Sequence, residues 1–334
     1  MSMVEVYDPV KGDEEHVLQL PGGRQIAYAH NGPPTSRTVI LFFVGIMGVG
    51  TAANVPEPCR EIQAHWIAPT LPGMGRSSTR DCSVPYNVNL ANDINALLNH
   101  LYPTGEFDAL YVSGGSYGTV PAQMLYGAPY DLFPPGQKIV GMLLLNGFSP
   151  LRHHASYEKH LSWNNWISIG PPTRFVPFRL LQRLFKCAVG SKLQSVEGAT
   201  QFLKATVFDN MDNKERRIFQ DWLQKNSFDE HTVIEKMARS TVRCCQNWDG
   251  FMEVSDTIHS DWGFDPRTLD KEHSAKPVLI VGSINDHIGG STNDWLVASY
   301  QSARDLKLLP GGHISSLFFM DELWRDIMEA SRSI

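Results

Sequence analysis

Ala109-Leu110-Tyr111-Val112-Ser113-Gly114-Gly115-Ser116-Tyr117-Gly118 is the stretch on which the reading of this chain turns. An apolar, β-branched run meets G-x-S-x-G with no spacer between them. The pattern predicts a buried strand that turns sharply into a helix. A serine on so tight a turn takes strained backbone angles, and its neighbours must be small for the chains to pass. Gly114 and Gly118 supply that clearance, and the Ser116 hydroxyl then projects above the sheet. The helix that follows aims its free N–H groups at the same point, where they favour a developing negative charge.

Outward from this turn, apolar runs alternate with helical patterns. His16–Leu20 and Arg24–Ala29, separated by Pro21-Gly22-Gly23, predict an amino-terminal hairpin. Thr38–Val44 reads as a buried strand ending in the glycine-rich stretch from Gly45 to Gly50, and Trp66–Ala68 as a short strand. Leu90, Ile94, Leu97, Leu98 and Leu101 share one face of a helix. Ile139–Leu145, Pro277–Gly282 and Leu306–Leu309 complete the strands, and a closing helix starts near Asp321. Such alternation predicts an α/β fold: a mostly parallel sheet covered by helices on both faces.

Residues 151–250 interrupt the alternation with helical patterns alone. Thr173–Val189 carries Phe175, Phe178, Leu181, Leu184 and Phe185 among Arg174, Arg179, Arg183 and Lys186. Glu215–Leu223 carries Ile218, Phe219, Trp222 and Leu223. The expected organisation is therefore a core from 1–150 and 251–334, with 151–250 inserted as a helical cap (lid) over the carboxyl edge of the sheet. A membrane-surface role for the basic, aromatic helix is the competing reading. The cap is preferred, because an inserted helix must bury its apolar face against the body.

The whole chain narrows the function classes. Its 334 residues, 42% hydrophobic, can bury a large core. A net charge of -6 with no Lys/Arg block argues against nucleic acid as a partner. Five cysteines without a pairing pattern, behind a polar, acidic amino terminus, read as reduced thiols in a cytoplasmic protein. No apolar run approaches the ~18 residues that span a bilayer, and a membrane partner is not expected. The Gly45–Gly50 run lacks the Lys-Ser/Thr ending of a phosphate loop. His153-His154 and Cys244-Cys245 have no metal-like partners at sensible spacing, so neither metal nor cofactor is expected. The oligomeric state is left open.

A serine hydroxyl needs a base within hydrogen-bond reach to become a nucleophile. Of twelve histidines, His313 stands just past the last short strand, on a loop loosened by Gly311 and Gly312. A histidine base needs a carboxylate to fix its tautomer, and Asp286 follows the preceding strand. Asp294 lies close enough in sequence to compete for that role. The order Ser116, Asp286, His313 is one that an open α/β sheet brings together.

With these residues in place, the chain resembles the α/β-hydrolase superfamily, in its capped serine-hydrolase form, over nearly its whole length outside the cap. Pro72-Gly73-Met74-Gly75-Arg76-Ser77 resembles the family's supporting turn after the fourth strand. The resemblance implies an eight-stranded sheet, with Ser116 as nucleophile, Asp286 as orienting acid and His313 as base. It also implies an oxyanion hole from the backbone N–H groups of Ile46 and Tyr117. Many members have His-Gly where this chain has Val44-Gly45, but a backbone donor does not need that histidine. Met47, Trp163 and Trp166 are the candidate pocket residues, the tryptophans having packing inside the cap as their other use.

The function so implied is hydrolysis of an ester or related acyl bond in a small to medium apolar molecule, through an acyl-enzyme. A proline-type aminopeptidase is an alternative, because Gly114–Gly118 resembles the nucleophile turn of those enzymes. Their His-Gly-Gly-Pro type loop is not reproduced by Val44-Gly45-Ile46-Met47. A carbon–carbon bond hydrolase shares the same triad. From another class, a small-molecule receptor can be built on the same fold.

Overall fold

The computed structural model describes residues 7–161, 170, 172–286, 292–303 and 306–332. Its eight strands are β1 (His16–Gln19), β2 (Gln25–Asn31), β3 (Thr38–Phe43), β4 (His65–Pro69), β5 (Ala109–Gly115), β6 (Ile139–Leu145), β7 (Val278–Ser283) and β8 (Lys307–Leu309). They form one sheet in the order β1-β2-β4-β3-β5-β6-β7-β8. β1 and β2 pair antiparallel, as do β2 and β4, and every later pair is parallel. The sheet and its hairpin are those the apolar runs predict.

Alternation along the strands builds two cores. Val39, Leu41 and Phe43 of β3 face one layer, and Ile40 and Phe42 face the other. The first layer includes helix α1 (Tyr86–Leu101), which buries Leu90, Ile94, Leu97 and Leu98, and helix α2 (Thr119–Tyr126), every residue of which is buried. Leu101, expected on the same face, is only half-buried at the helix end. Between β6 and β7 come α3 (Leu180–Val189), α4 (Val196–Leu203), α5 (Asn213–Asn226), α6 (Glu230–Cys244) and α7 (Asp249–His259). Helices α8 (Asn293–Ser299) and α9 (Met320–Arg332) follow, and α9 seats Trp324 against Trp66 in the second layer.

The single helical pattern read over 173–189 is divided. A short helix covers Pro172–Phe175, a 3-10 turn covers Pro177–Arg179, and α3 starts only at Leu180. Pro177 has no N–H to continue a helix, and Arg179 takes a left-handed φ of 55°. The helices between β6 and β7 have small apolar clusters of their own. One is centred on Phe208, Phe219, Leu223 and Ile234, and another on Leu193, Ala199 and Ala238.

A chain of imidazoles crosses the antiparallel side of the sheet. His30 Nδ1 lies 2.8 Å from His65 Nε2, and His65 Nδ1 lies 2.8 Å from the Tyr102 hydroxyl. His65 is fully buried, and burial with its histidine neighbour pushes its pKa down to about 3. Burial and the nearby His16 lower that of His30 as well. An unfolded histidine titrates near ~6.5, so protons bind the unfolded chain more readily than the native one. The stability these groups contribute is complete above about pH 6.5 and declines as the pH falls toward the folded value. We expect urea midpoints to fall between pH 6.5 and 4, with His65 alone supplying a slope of up to ~1.4 kcal/mol per pH unit. His65→Gln should flatten that slope. Equal slopes in the two proteins would refute the assignment.

Candidate active site

Ser116 follows the last residue of β5 and takes φ 53°, a left-handed value rare outside glycine. Thr119 fastens the turn by donating its hydroxyl to the Ser116 carbonyl at 2.7 Å. The two flanking glycines have steric reasons. A methyl group on Gly114 would come within 3.0 Å of the Gly118 carbonyl, and one on Gly118 within 3.0 Å of the Phe43 carbonyl at the end of β3. Neither obstacle is a flexible side chain.

The loop after β3 lies over the serine. A methyl group on Gly45 would sit 3.2 Å from Ser116 Cβ and 3.8 Å from its Oγ. This loop is tied down further along. Val49 donates its N–H to Ser240 Oγ of α6 at 3.0 Å, and Gly50 donates to Thr70 Oγ1 at 2.9 Å.

Asp286 and His313 meet at the same edge. His313 Nδ1 is 3.0 Å from Asp286 Oδ1, and the Asp286 side chain has no solvent exposure. Other histidine–aspartate pairs exist, His273 with Asp270 at 2.8 Å and His153 with Asp265 at 3.4 Å. Pairing alone therefore does not identify a site; position does. Ser283, three residues before Asp286, pairs with Leu309, four residues before His313. Asp294, the competing acid in the sequence, is instead exposed in the first turn of α8.

Asn146 links the two halves and was missed in the sequence. It follows Leu145, the β6 partner of Gly115, and also takes a left-handed φ of 50°. Its Nδ2 donates to Ser283 Oγ at 2.9 Å and to the His313 carbonyl at 3.0 Å. An asparagine directly after a buried strand tolerates left-handed angles better than most residues, and that was the available signal.

No family model matches the sequence, and no curated protein does either. Solved structures do match. The chain is similar to the enol-lactonase from Burkholderia xenovorans LB400, at 14% identity over 94% of this chain and 99% of that one, with a TM-score of 0.57. It is similar to a thermophilic esterase from Thermogutta terrifontis, at 14% identity over 96% and 98%, TM-score 0.56. A third likeness is to the 2-hydroxy-6-oxo-6-phenylhexa-2,4-dienoate hydrolase from Rhodococcus sp. strain RHA1, at 17% identity over 96% and 99%, TM-score 0.56.

The chain has the α/β-hydrolase fold. Within this α/β-hydrolase fold, Ile46 is half-buried against the main core, one residue beyond the glycine that covers Ser116. The Tyr117 side chain is buried, and that burial pushes its pKa up to about 12. Met47 takes φ 66° and packs against the cluster of Leu193, Ala199 and Ala238. It also borders a small apolar recess with Met74, Cys244, Cys245, Trp248 and Phe251. Ser116, Asp286 and His313 do not line that recess. Trp163 and Trp166 lie outside the described residues. Among the described residues no three His, Cys, Asp or Glu side chains are grouped to hold a metal ion, and no helix is long and apolar enough to cross a membrane.

The backbone clearance around Ser116 gives a direct expectation. Gly118→Ala must push α2 away from the end of β3, and we expect a loss of about 1–3 kcal/mol or more in urea unfolding. Gly115→Ala, with nothing near its added methyl, should stay within about 1 kcal/mol of the parent. Similar losses in both variants would contradict the packing described.

Proposed function

We propose that this protein is a serine hydrolase acting on an ester or related acyl bond. The observation that carries the reading is the 3.0 Å Asp286–His313 hydrogen bond, set at the sheet edge where Ser116 is held at a strained φ of 53°. Asp286 engages Nδ1, which fixes the proton there and leaves Nε2 as the basic nitrogen. In the first step Ser116 Oγ attacks the acyl carbon while His313 takes its proton. The negative oxygen that forms is met by the backbone N–H groups of Ile46 and Tyr117 and by the N-terminal end of α2. The bond to the leaving alcohol then breaks, and His313 returns the proton to that oxygen. Water attacks the acyl-serine by the same route, His313 again accepting and returning one proton, and frees the acid.

The helices in 151–250 act as a cap in this reading. Support comes from Met47, which packs on one of their apolar clusters, and from Ile314 and Phe318 beyond His313, which pack on the other. In this reading the apolar side chains of the cap select by burying apolar area, at ~25 cal/mol per Å², and favour an uncharged, apolar acyl or alcohol group.

Three measurements test this. Ser116→Ala should lose labelling by a fluorophosphonate and lower ester turnover by ~10⁴ or more, with its unfolding midpoint preserved. Asp286→Asn should lower turnover by a similar order while Asp294→Asn changes it little; the reverse would reassign the acid. A panel of neutral esters of rising chain length, charged esters and N-terminal prolyl amides reads out the substrate class. Preference for the prolyl amides would replace the esterase reading with a peptidase.

A further inference from the structure

One helix of the inserted segment holds both loops that carry the acid and the base. Glu215, in the first turn of α5, is buried at 6% exposure, and its Oε1 accepts from the Ser315 hydroxyl at 2.8 Å. Ser315 is itself fully buried, and its N–H closes the loop onto the Gly312 carbonyl at 3.1 Å. The loop is moulded around that carboxylate. A methyl group on Gly312 would stand 3.2 Å from Glu215 Oε2, and one on Gly311, at φ 102°, 3.0 Å from Glu215 Cγ. Gly311 is held to glycine by its left-handed φ and by the Ser315 hydroxyl, which an added methyl would overlap, while the Glu215 side chain stands close against both glycines.

The same helix end reaches the acid's loop. Asp212 caps α5 through Oδ1, accepting from Lys214 at 2.7 Å and Glu215 at 2.8 Å. Its other oxygen accepts from Asn285 Nδ2 at 2.7 Å, one residue before Asp286. Asn285 in turn donates its N–H to the Gly311 carbonyl at 3.0 Å, so the acid and base loops are joined where α5 touches them. Further along α5, Phe219 and Trp222 meet Phe318, with ring centroids 5.2 and 5.4 Å apart.

We infer that Glu215 is a positioning residue, which sets His313 against Asp286 through Ser315, with Asp212 and Asn285 steadying the acid's side. The inference rests on the serine-hydrolase reading for its catalytic consequence but not for its geometry. Displacing a base by a fraction of an ångström costs reactivity without removing any reacting group.

The test compares Glu215→Ala, Ser315→Ala, their double variant and Glu215→Gln in the full chain. Gln keeps an oxygen that can accept from Ser315. The rate of Ser116 phosphonylation by a fluorophosphonate should fall on the order of 10- to 100-fold in either Ala variant, in the maximal inactivation rate rather than in inhibitor binding. The double variant should be no slower than the slower single, and Glu215→Gln should stay within about threefold of the parent. Parent-like rates in the folded Ala variants, or a Gln variant as slow as Ala, overturn the inference. Should Glu215→Ala fail to fold, Ser315→Ala, which removes one hydroxyl, decides by the same criterion.

A second readout is independent of the nucleophile. The low-field proton resonance of His313 Nδ1–H should be retained in the parent and Glu215→Gln, and broadened by faster exchange in both Ala variants. An unchanged resonance in all of them overturns the inference. A parent protein that shows this resonance but is never phosphonylated overturns the serine-hydrolase reading instead, and the resonance series still decides the role of Glu215.

Discussion

The crossing of backbone at Gly114 and Gly118 is the constraint on which the rest of this molecule depends. β5 can turn into α2 only because neither residue has a side chain, and α2 can lie against the end of β3 for the same reason. Three consequences follow from that contact. Ser116 is driven to a left-handed φ, its hydroxyl is lifted to the sheet edge, and the loop after β3 is drawn over it through Gly45. The strain at one residue, of order 1–3 kcal/mol, is offset by the fully buried α2 and the parallel strands on either side.

Much of this was legible because it is written in local pattern. Strand runs such as Ile139–Leu145 are apolar without interruption, as a strand buried on both faces requires, and are short and bounded by turns. The α1 face at Leu90, Ile94, Leu97 and Leu98 repeats at helical spacing. The positions of Asp286 and His313 follow from the ends of β7 and β8, so their meeting is a consequence of strand register. Asp286, which the sequence favours over Asp294 as the acid, is the one that meets His313. Both lie after the same strand, and only the start of α8 moves Asp294 to the surface.

What stayed hidden depends on contacts distant in the chain. Glu215 reads in sequence as an ordinary first-turn acid, favourable at a helix N-terminus. Its partner Ser315 is 100 positions away, and nothing local marks the pair. Asn146 follows a strand whose apolar signal is complete without it, and its partners Ser283 and His313 lie far along the chain. The break at Pro177 was readable in principle, but the aromatic and basic residues on either side kept a helical rhythm across it. Propensity and pattern describe neighbours in sequence, whereas these features are fixed by neighbours in space.

The two sides of the candidate site are therefore held by different kinds of force. On the serine side the constraint is backbone against backbone, at Gly114, Gly118 and the Phe43 carbonyl, where no rotamer change can relieve a clash. Asp286 and His313 sit on longer loops held by side chains: Asn146 from within the sheet, and Asp212 and Glu215 from the inserted helices. Side-chain hydrogen bonds contribute about 0.5–1.5 kcal/mol each, and they can be broken one at a time. In the positioning role proposed for Glu215, the inserted helices adjust the setting of His313 without disturbing Ser116.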